Sequence, residues 1–167
     1  MSESSSFIEN FISVKKNESV IKVNFKENSE SDIGKKYEFF IDYSYIIENI
    51  TLKRFEKHKT KLDAYINQYV PSNTKWIINL NDNSSRQLAT YILNSIKGNY
   101  LERKTPQIIS HKDFSKFIKK SDIGTVLIVG SCISTGKNLL YLSRALRNFS
   151  NLRIVYFTSI FFICSIG

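Results

Sequence analysis

Apolar residues recur along this chain at two periods, one helical and one extended. Between Thr51 and Pro71, Leu52, Phe55, Leu62, Tyr65, Ile66 and Tyr69 are spaced by three, four and seven, which predicts a helix with one apolar face, closed by Pro71. Its outer face is basic. Trp76 to Leu80 (WIINL) is a short apolar run rich in strand formers. It leads through the polar loop Asn81 to Ser85 into a second helical pattern, Leu88, Ala89, Ile92, Leu93 and Ile96, ending at Gly98. Ser84 or Asn83 is expected to cap that helix by accepting from a first-turn amide. Pro106 to Ser110 (PQIIS) predicts a further short strand. His111 to Lys120 is a basic, exposed segment with Phe114, Phe117 and Ile118 on one side. Val126 to Val129 predicts a strand, Leu139 to Leu146 a helix, and Arg153 to Phe162 another strand. Before Thr51 the signal is weaker. Val20, Val23 and Phe25 suggest a short helix or strand, and a polar run from Lys26 to Lys36, punctuated by Gly34, reads as a surface loop.

Strands alternating with helices predict a three-layer α/β fold, a mostly parallel sheet flanked by helices. Residues 1–50 read as an N-terminal extension and 51–167 as the α/β domain. At 167 residues, 42% of them hydrophobic and only two of them proline, the chain can bury a core without disulfides or a structural metal. It ends at Gly167 directly after an apolar strand, where a central parallel strand normally leads into another helix. The sequence therefore reads as a sheet cut short, part of a longer protein. No internal repeat or low-complexity tract is present.

The formal charge of +9 favours anionic partners such as nucleotides, nucleic acid or lipid head groups. Heavy use of Lys, Asn, Ile and Tyr reflects an AT-rich genome equally well. Ile154 to Ile166 is apolar but, at 13 residues, well short of the roughly 20 that cross a bilayer, so it reads as a buried strand. The start, MSESSSFIENF, lacks the basic and apolar runs of a secretory signal, and the expected setting is cytoplasmic and reducing. Cys132 and Cys164 lie far apart in apolar segments without CxxC spacing or a His cluster, which predicts free thiols and no metal site.

The stretch Val126 to Leu140, VLIVGSCISTGKNLL, carries the strongest functional signal. A buried strand running through a loop into a helix places the helix amides and positive dipole end where a phosphate can sit. Gly130 and Gly136 permit close backbone approach, Ser134, Thr135 and Asn138 offer side-chain donors, and Lys137 adds a full charge. A P-loop, GxxxxGK[ST], is one comparison. Five residues rather than four separate Gly130 from Gly136, and Asn138 replaces the hydroxyl that would hold Mg²⁺. Only 27 residues follow Leu140, so a degenerate P-loop NTPase fits less well.

The same residues match another pattern without gaps. VLIVGSCISTGKNL resembles the signature of type I phosphoribosyltransferases: four hydrophobic strand residues, two acidic residues, two variable positions, then Thr-Thr-Gly-Gly-Thr and a helix. The resemblance implies that Ser134, Thr135, Gly136, Lys137 and Asn138 hold the 5′-phosphate of phosphoribosyl pyrophosphate or a nucleotide. Gly130 and Ser131 stand where the family carries the acidic pair that binds the ribose hydroxyls. Without that pair an oxocarbenium-like transition state loses nearby negative charge, so weak or no catalysis is expected and a sensing or regulatory role is implied. An active transferase, with acidic groups supplied from elsewhere and Mg²⁺ as cofactor, is the alternative. Upstream, WIINLNDNSSRQLATYIL falls where the family has a strand, a pyrophosphate loop and a helix. Asp82, Ser84, Ser85 and Arg86 are the candidate residues of this second loop. The resemblance covers about Thr74 to Phe162.

Other residues weigh less. Asp82, beside Asn residues, suits a capping or turn role at least as well as a ligand contact. His58 and His111 lie in basic, polar surroundings and read as surface histidines. Cys132, near a helix N-terminus, either has a lowered pKa or packs as a small apolar residue. The runs Lys53 to Lys61 and Lys112 to Lys120 interleave cations with Phe55, Phe114 and Phe117, which suits either a solvated helix face or nucleic-acid binding. A basic nucleic-acid- or protein-binding module is therefore a distinct alternative, and an oligomer is compatible with it. No Ser/His/Asp or paired-carboxylate constellation emerges.

Overall fold

The computed structural model describes residues 21–26, 36–100, 105–133 and 136–161. The expectations for Val20, Gly34, Ser134, Thr135, Cys164 and Gly167 fall outside these residues. Strands β1 (Ile21–Lys26) and β2 (Lys36–Ile41) pair antiparallel, with Ile21 opposite Ile41. Helix α1 (Tyr43–Glu48) follows at once, because the Asp42 carboxylate accepts from the Tyr45 amide at 3.2 Å. A 3₁₀ turn at Lys53–Phe55 leads into α2 (Glu56–Tyr69). Of the periodic residues expected in that helix, Leu62 and Ile66 are buried, and the chain turns out at Val70 before Pro71.

Strand β3 (Thr74–Asn79) begins two residues before the apolar run, because Thr74 pairs with Thr125 on the neighbouring strand. Helix α3 (Asn83–Ile96) follows, then β4 (Gln107–Ser110), the single turn α4 (Phe114–Phe117), β5 (Gly124–Ile133), α5 (Lys137–Leu146) and β6 (Leu152–Phe161). Gly124 opens β5 with a φ of 145°, a conformation other residues rarely adopt. The last four strands form one parallel sheet in the order β4-β3-β5-β6.

Alternate residues of the two central strands feed two cores. Ile77, Leu127 and Val129 pack with Tyr43, Ile46, Ile50, Leu62, Ile66, Leu88, Ile92 and Phe157, under α1, α2 and α3. Trp76, Ile78, Val126 and Ile128 pack with Phe114, Ile118, Leu142 and Leu146 on the other side. A strand buried on both faces must be apolar at every position, which is why WIINL and VLIV are continuous runs. The chain is thus an α/β protein with a parallel sheet between helical layers. Tyr43, Ile46 and Ile50 belong to the same core as α2 and α3.

Several local expectations change. Gly130 to Ile133 is strand, not loop, since Gly130, Cys132 and Ile133 pair with Thr158, Ile160 and Phe161. Asp82, rather than Ser84 or Asn83, caps α3, accepting from the Ser85 amide at 2.7 Å. Ser84 instead accepts from the Ser44 amide at 3.1 Å and joins α3 to α1. Phe117 points outward, 45% exposed, while Phe114 and Ile118 are buried.

His58 is not a surface histidine. Its Nε2 lies 2.8 Å from the hydroxyl of fully buried Tyr43, with the two rings edge to face at 5.6 Å. Burial pushes the Tyr43 phenol up to about 12 and holds His58 below its ordinary 6.5. The unfolded chain therefore takes up a proton at higher pH than the folded one, and stability is lost as pH falls below about 6.5. Melting temperatures measured from about pH 8 to about pH 5 are expected to fall, and less steeply in His58→Gln. An unchanged slope in the variant would remove His58 from this account.

Candidate functional site at the ends of β3 and β5

The order β4-β3-β5-β6 makes a switch point. From β3 the chain crosses through α3 to β4 on one side, and from β5 it crosses through α5 to β6 on the other. The loops leaving β3 and β5 therefore diverge from adjacent strand ends and leave a crevice, where ligands of open α/β sheets bind.

A hydrogen-bond network joins the two strand ends. One oxygen of the Asp82 carboxylate accepts from the Ser85 amide and, at 3.1 Å, from the Ser131 hydroxyl. The other accepts from the Ser85 hydroxyl at 2.6 Å. The Ser85 hydroxyl in turn accepts from the Ser131 amide at 2.9 Å. Ser85 and Ser131 are 0% and 4% exposed, so these bonds satisfy groups that would otherwise be buried without partners. Gly130 is engaged as well, its carbonyl accepting from the Thr158 hydroxyl at 3.0 Å.

On the α5 side, Gly136 adopts the left-handed conformation, φ 66°, as the residue before the helix. Its carbonyl accepts from the Leu140 amide at 2.9 Å, which closes the first turn. Glycine has no side-chain oxygen, so no side chain at this position caps the first amides of α5. Lys137 and Asn138, expected in the loop, are instead the first two residues of the helix, and both are exposed. Ser134 and Thr135 lie outside the described residues.

Of the second loop's four candidates, Asp82 and Arg86 reach a common space. They line a polar cavity of about 200 Å³ with Asn79, Asn81, Asn83 and Ser110 at the ends of β3 and β4. Ser85 and Ser84 turn away, into the network and toward α1. Asn79 and Ser110 were missed from sequence. The signal was there for Asn79, a polar residue inside the apolar run WIINL; it is 5% exposed, and its side-chain amide donates to the Leu80 carbonyl at 2.9 Å. His111 is half-buried at the rim of this region, its amide donating to the Asn79 carbonyl at 3.1 Å. It too was expected on the surface. Burial, and then the neighbouring Lys112, hold its imidazole below the ordinary value.

Cys132 carries a free thiol. It packs against the core beneath α1 to α3, and burial pushes it up to about 11, so it behaves as a small apolar residue and not as an activated nucleophile. Among the described residues no group of three or more His, Cys, Asp or Glu could hold a metal ion. At the switch point Asp82 is the carboxylate in contact with Ser131, and both its oxygens are bonded within the network. No helix among them is long and apolar enough to cross a membrane. Compared with models of known protein families and with curated proteins, the chain finds no match.

Proposed function

We propose that this chain is a phosphoribosyltransferase-like α/β domain that binds the phosphate of a phosphorylated ribose or nucleotide in the loop between β5 and α5, with weak or no transferase activity. The observation that carries the reading is the strand order. It makes β3 and β5 neighbours whose connections diverge, so the two segments that resemble the family's phosphate and pyrophosphate loops leave the sheet side by side. The first turn of α5, whose N-cap residue Gly136 has no side-chain oxygen, with Lys137 at its start, supports an anion there.

Weak catalysis follows from the state of β5. Gly130 has no side chain, and the Ser131 hydroxyl and amide are committed to Asp82 and Ser85. No side chain of that strand is left to present a carboxylate to a ribose ring, so a positive transition state gains little there. The role is then recognition of the phosphorylated sugar.

Titration calorimetry with phosphoribosyl pyrophosphate, ribose 5-phosphate and nucleoside monophosphates tests this. Wild type is expected to bind at least one of them, and Thr135→Ala/Lys137→Ala to bind it at least about tenfold more weakly, since hydrogen bonds to a charged group contribute about 1.5–3 kcal/mol each. Equal affinities for the two proteins would sink the proposal. Rapid pyrophosphate release on mixing the sugar donor with nucleobases would overturn the part about catalysis.

A further inference from the structure

The outer surface of α2 is a second feature, remote in sequence from the phosphate loop. Lys57, Lys61, Tyr65 and Tyr69 follow one another at intervals of four and are all exposed, Tyr65 by 52% and Tyr69 by 55%. Residues four apart form a ridge along a helix, and these four span about 18 Å at 1.5 Å per residue. The tyrosine rings stand beside each other, with centroids 5.9 Å apart. Tyr65 and Tyr69 stand three positions after Leu62 and Ile66, at the edge of the buried stripe of α2, with about half of each side chain left exposed.

The cations around the ridge divide into two groups. Lys59 is held by Asp63 at 2.5 Å, and Asp63 also accepts from Tyr91 at 2.6 Å. Arg54 lies over the rings of Tyr45 and Phe55 at 5.3 and 5.1 Å. Lys57 and Lys61 have no ion-pair partner among the described residues and face solvent. Glu56 and Asp63 are the acidic residues of this helix, and Asp63 is already engaged. The ridge is therefore positive at one end and aromatic at the other. The second basic run, Lys112 to Lys120, is different: Lys116 is paired with Asp113, Asp122 accepts from the Lys119 amide, and Phe114 is buried.

We propose that this ridge of α2 is a docking surface for single-stranded nucleic acid, with Lys57 and Lys61 on backbone phosphates and Tyr65 and Tyr69 stacking on unpaired bases. Cations alone would suit any polyanion. Exposed tyrosines in line with them select a ligand that carries flat apolar faces at intervals along a charged backbone. A duplex hides those faces, and an anionic membrane or acidic protein has none in regular array. The net charge of +9 adds long-range attraction.

Fluorescence anisotropy of a labelled single-stranded oligonucleotide, titrated with the full chain across a salt series, tests the surface. Wild type is expected to bind at low salt, with log K falling linearly in log salt, and Lys57→Ala/Lys61→Ala to flatten that slope by about 1.4, at about 0.7 per phosphate contact. Tyr65→Ala/Tyr69→Ala is expected to keep the slope and lose at least about tenfold in affinity, while a duplex of the same sequence binds more weakly than the single strand. No binding at low salt, equal affinity for duplex and single strand, or unchanged affinity in the tyrosine variant each overturns it. Tighter binding to anionic vesicles than to the oligonucleotide does so as well. All four positions are exposed, so circular dichroism of the variants should match wild type and separate lost binding from lost folding. This site is separate from the phosphate loop, so Thr135→Ala/Lys137→Ala should bind the oligonucleotide as wild type does.

Discussion

Leu127→Ala is expected to lower the free energy of unfolding by about 2–5 kcal/mol, a large share of a small domain's stability. Leu127 is 0% exposed at the middle of β5, with Ile77 on one neighbouring strand and Val155 on the other as its register partners. Its side chain enters the core that α1, α2 and α3 cover, beside Ile77, Leu88 and Phe157. The strands on either side hold the backbone in place, so the space left by the missing carbons closes poorly and a cavity adds to the lost burial. Urea unfolding should show a lower midpoint with the slope unchanged. Leu140→Ala, on the outer face of α5 at 52% exposure, should stay within about 0.5 kcal/mol of wild type. A loss under about 1 kcal/mol for Leu127→Ala would contradict a β5 packed on both faces.

Removing the Asp82 carboxylate should cost nearly as much. Asp82→Ala takes away the cap of α3, about 0.5–2 kcal/mol, and leaves the buried hydroxyls of Ser85 and Ser131, 3.4 Å from each other, one acceptor short, at about 1–3 kcal/mol for an unsatisfied polar group. A total of about 2–4 kcal/mol is expected in thermal or urea unfolding. Asp82→Ser should recover about 1 kcal/mol, because a hydroxyl still caps the helix but cannot bridge to both serines. Asp113→Ala is the control. Its ion pair with Lys116 lies at the surface, where such pairs contribute about 0–1 kcal/mol. If Asp82→Ala proves no more harmful than Asp113→Ala, the network does not hold the two strand ends together.

The two predictions mark the boundary between what could be read along the chain and what could not. Leu127 was readable, since four apolar residues in a row, VLIV, already specify a strand covered on both faces. Its continuation through Gly130 and Ser131 was not, because a glycine and a serine carry no strand signal. The pairing with β6 and the Asp82 and Ser85 side chains make that extension possible. Asp82 was legible as a capping or turn residue, yet its target was not. Asp82, Asn83, Ser84 and Ser85 include four good capping side chains in succession, and local preference cannot choose among them. The contact of Ser84 with Ser44 and of Ser85 with Ser131 decides where α3 begins. For His58 and His111 the basic neighbours along the chain suggested solvent, whereas Tyr43, fifteen residues before His58, supplies a buried partner.

By itself, then, the sequence determined the alternation of strands and helices, the continuous apolar runs of β3 and β5, and the strand, loop and helix around Gly136. These follow from periodicity and residue type within a dozen positions, where neighbours along the chain are neighbours in space. The tertiary structure alone decided the order β4-β3-β5-β6, the switch point between β3 and β5, and the junction of Asp82 and Ser85 with Ser131. Those depend on contacts between residues from 28 to 51 positions apart, whose free energy exists only once the sheet has closed and no local pattern encodes.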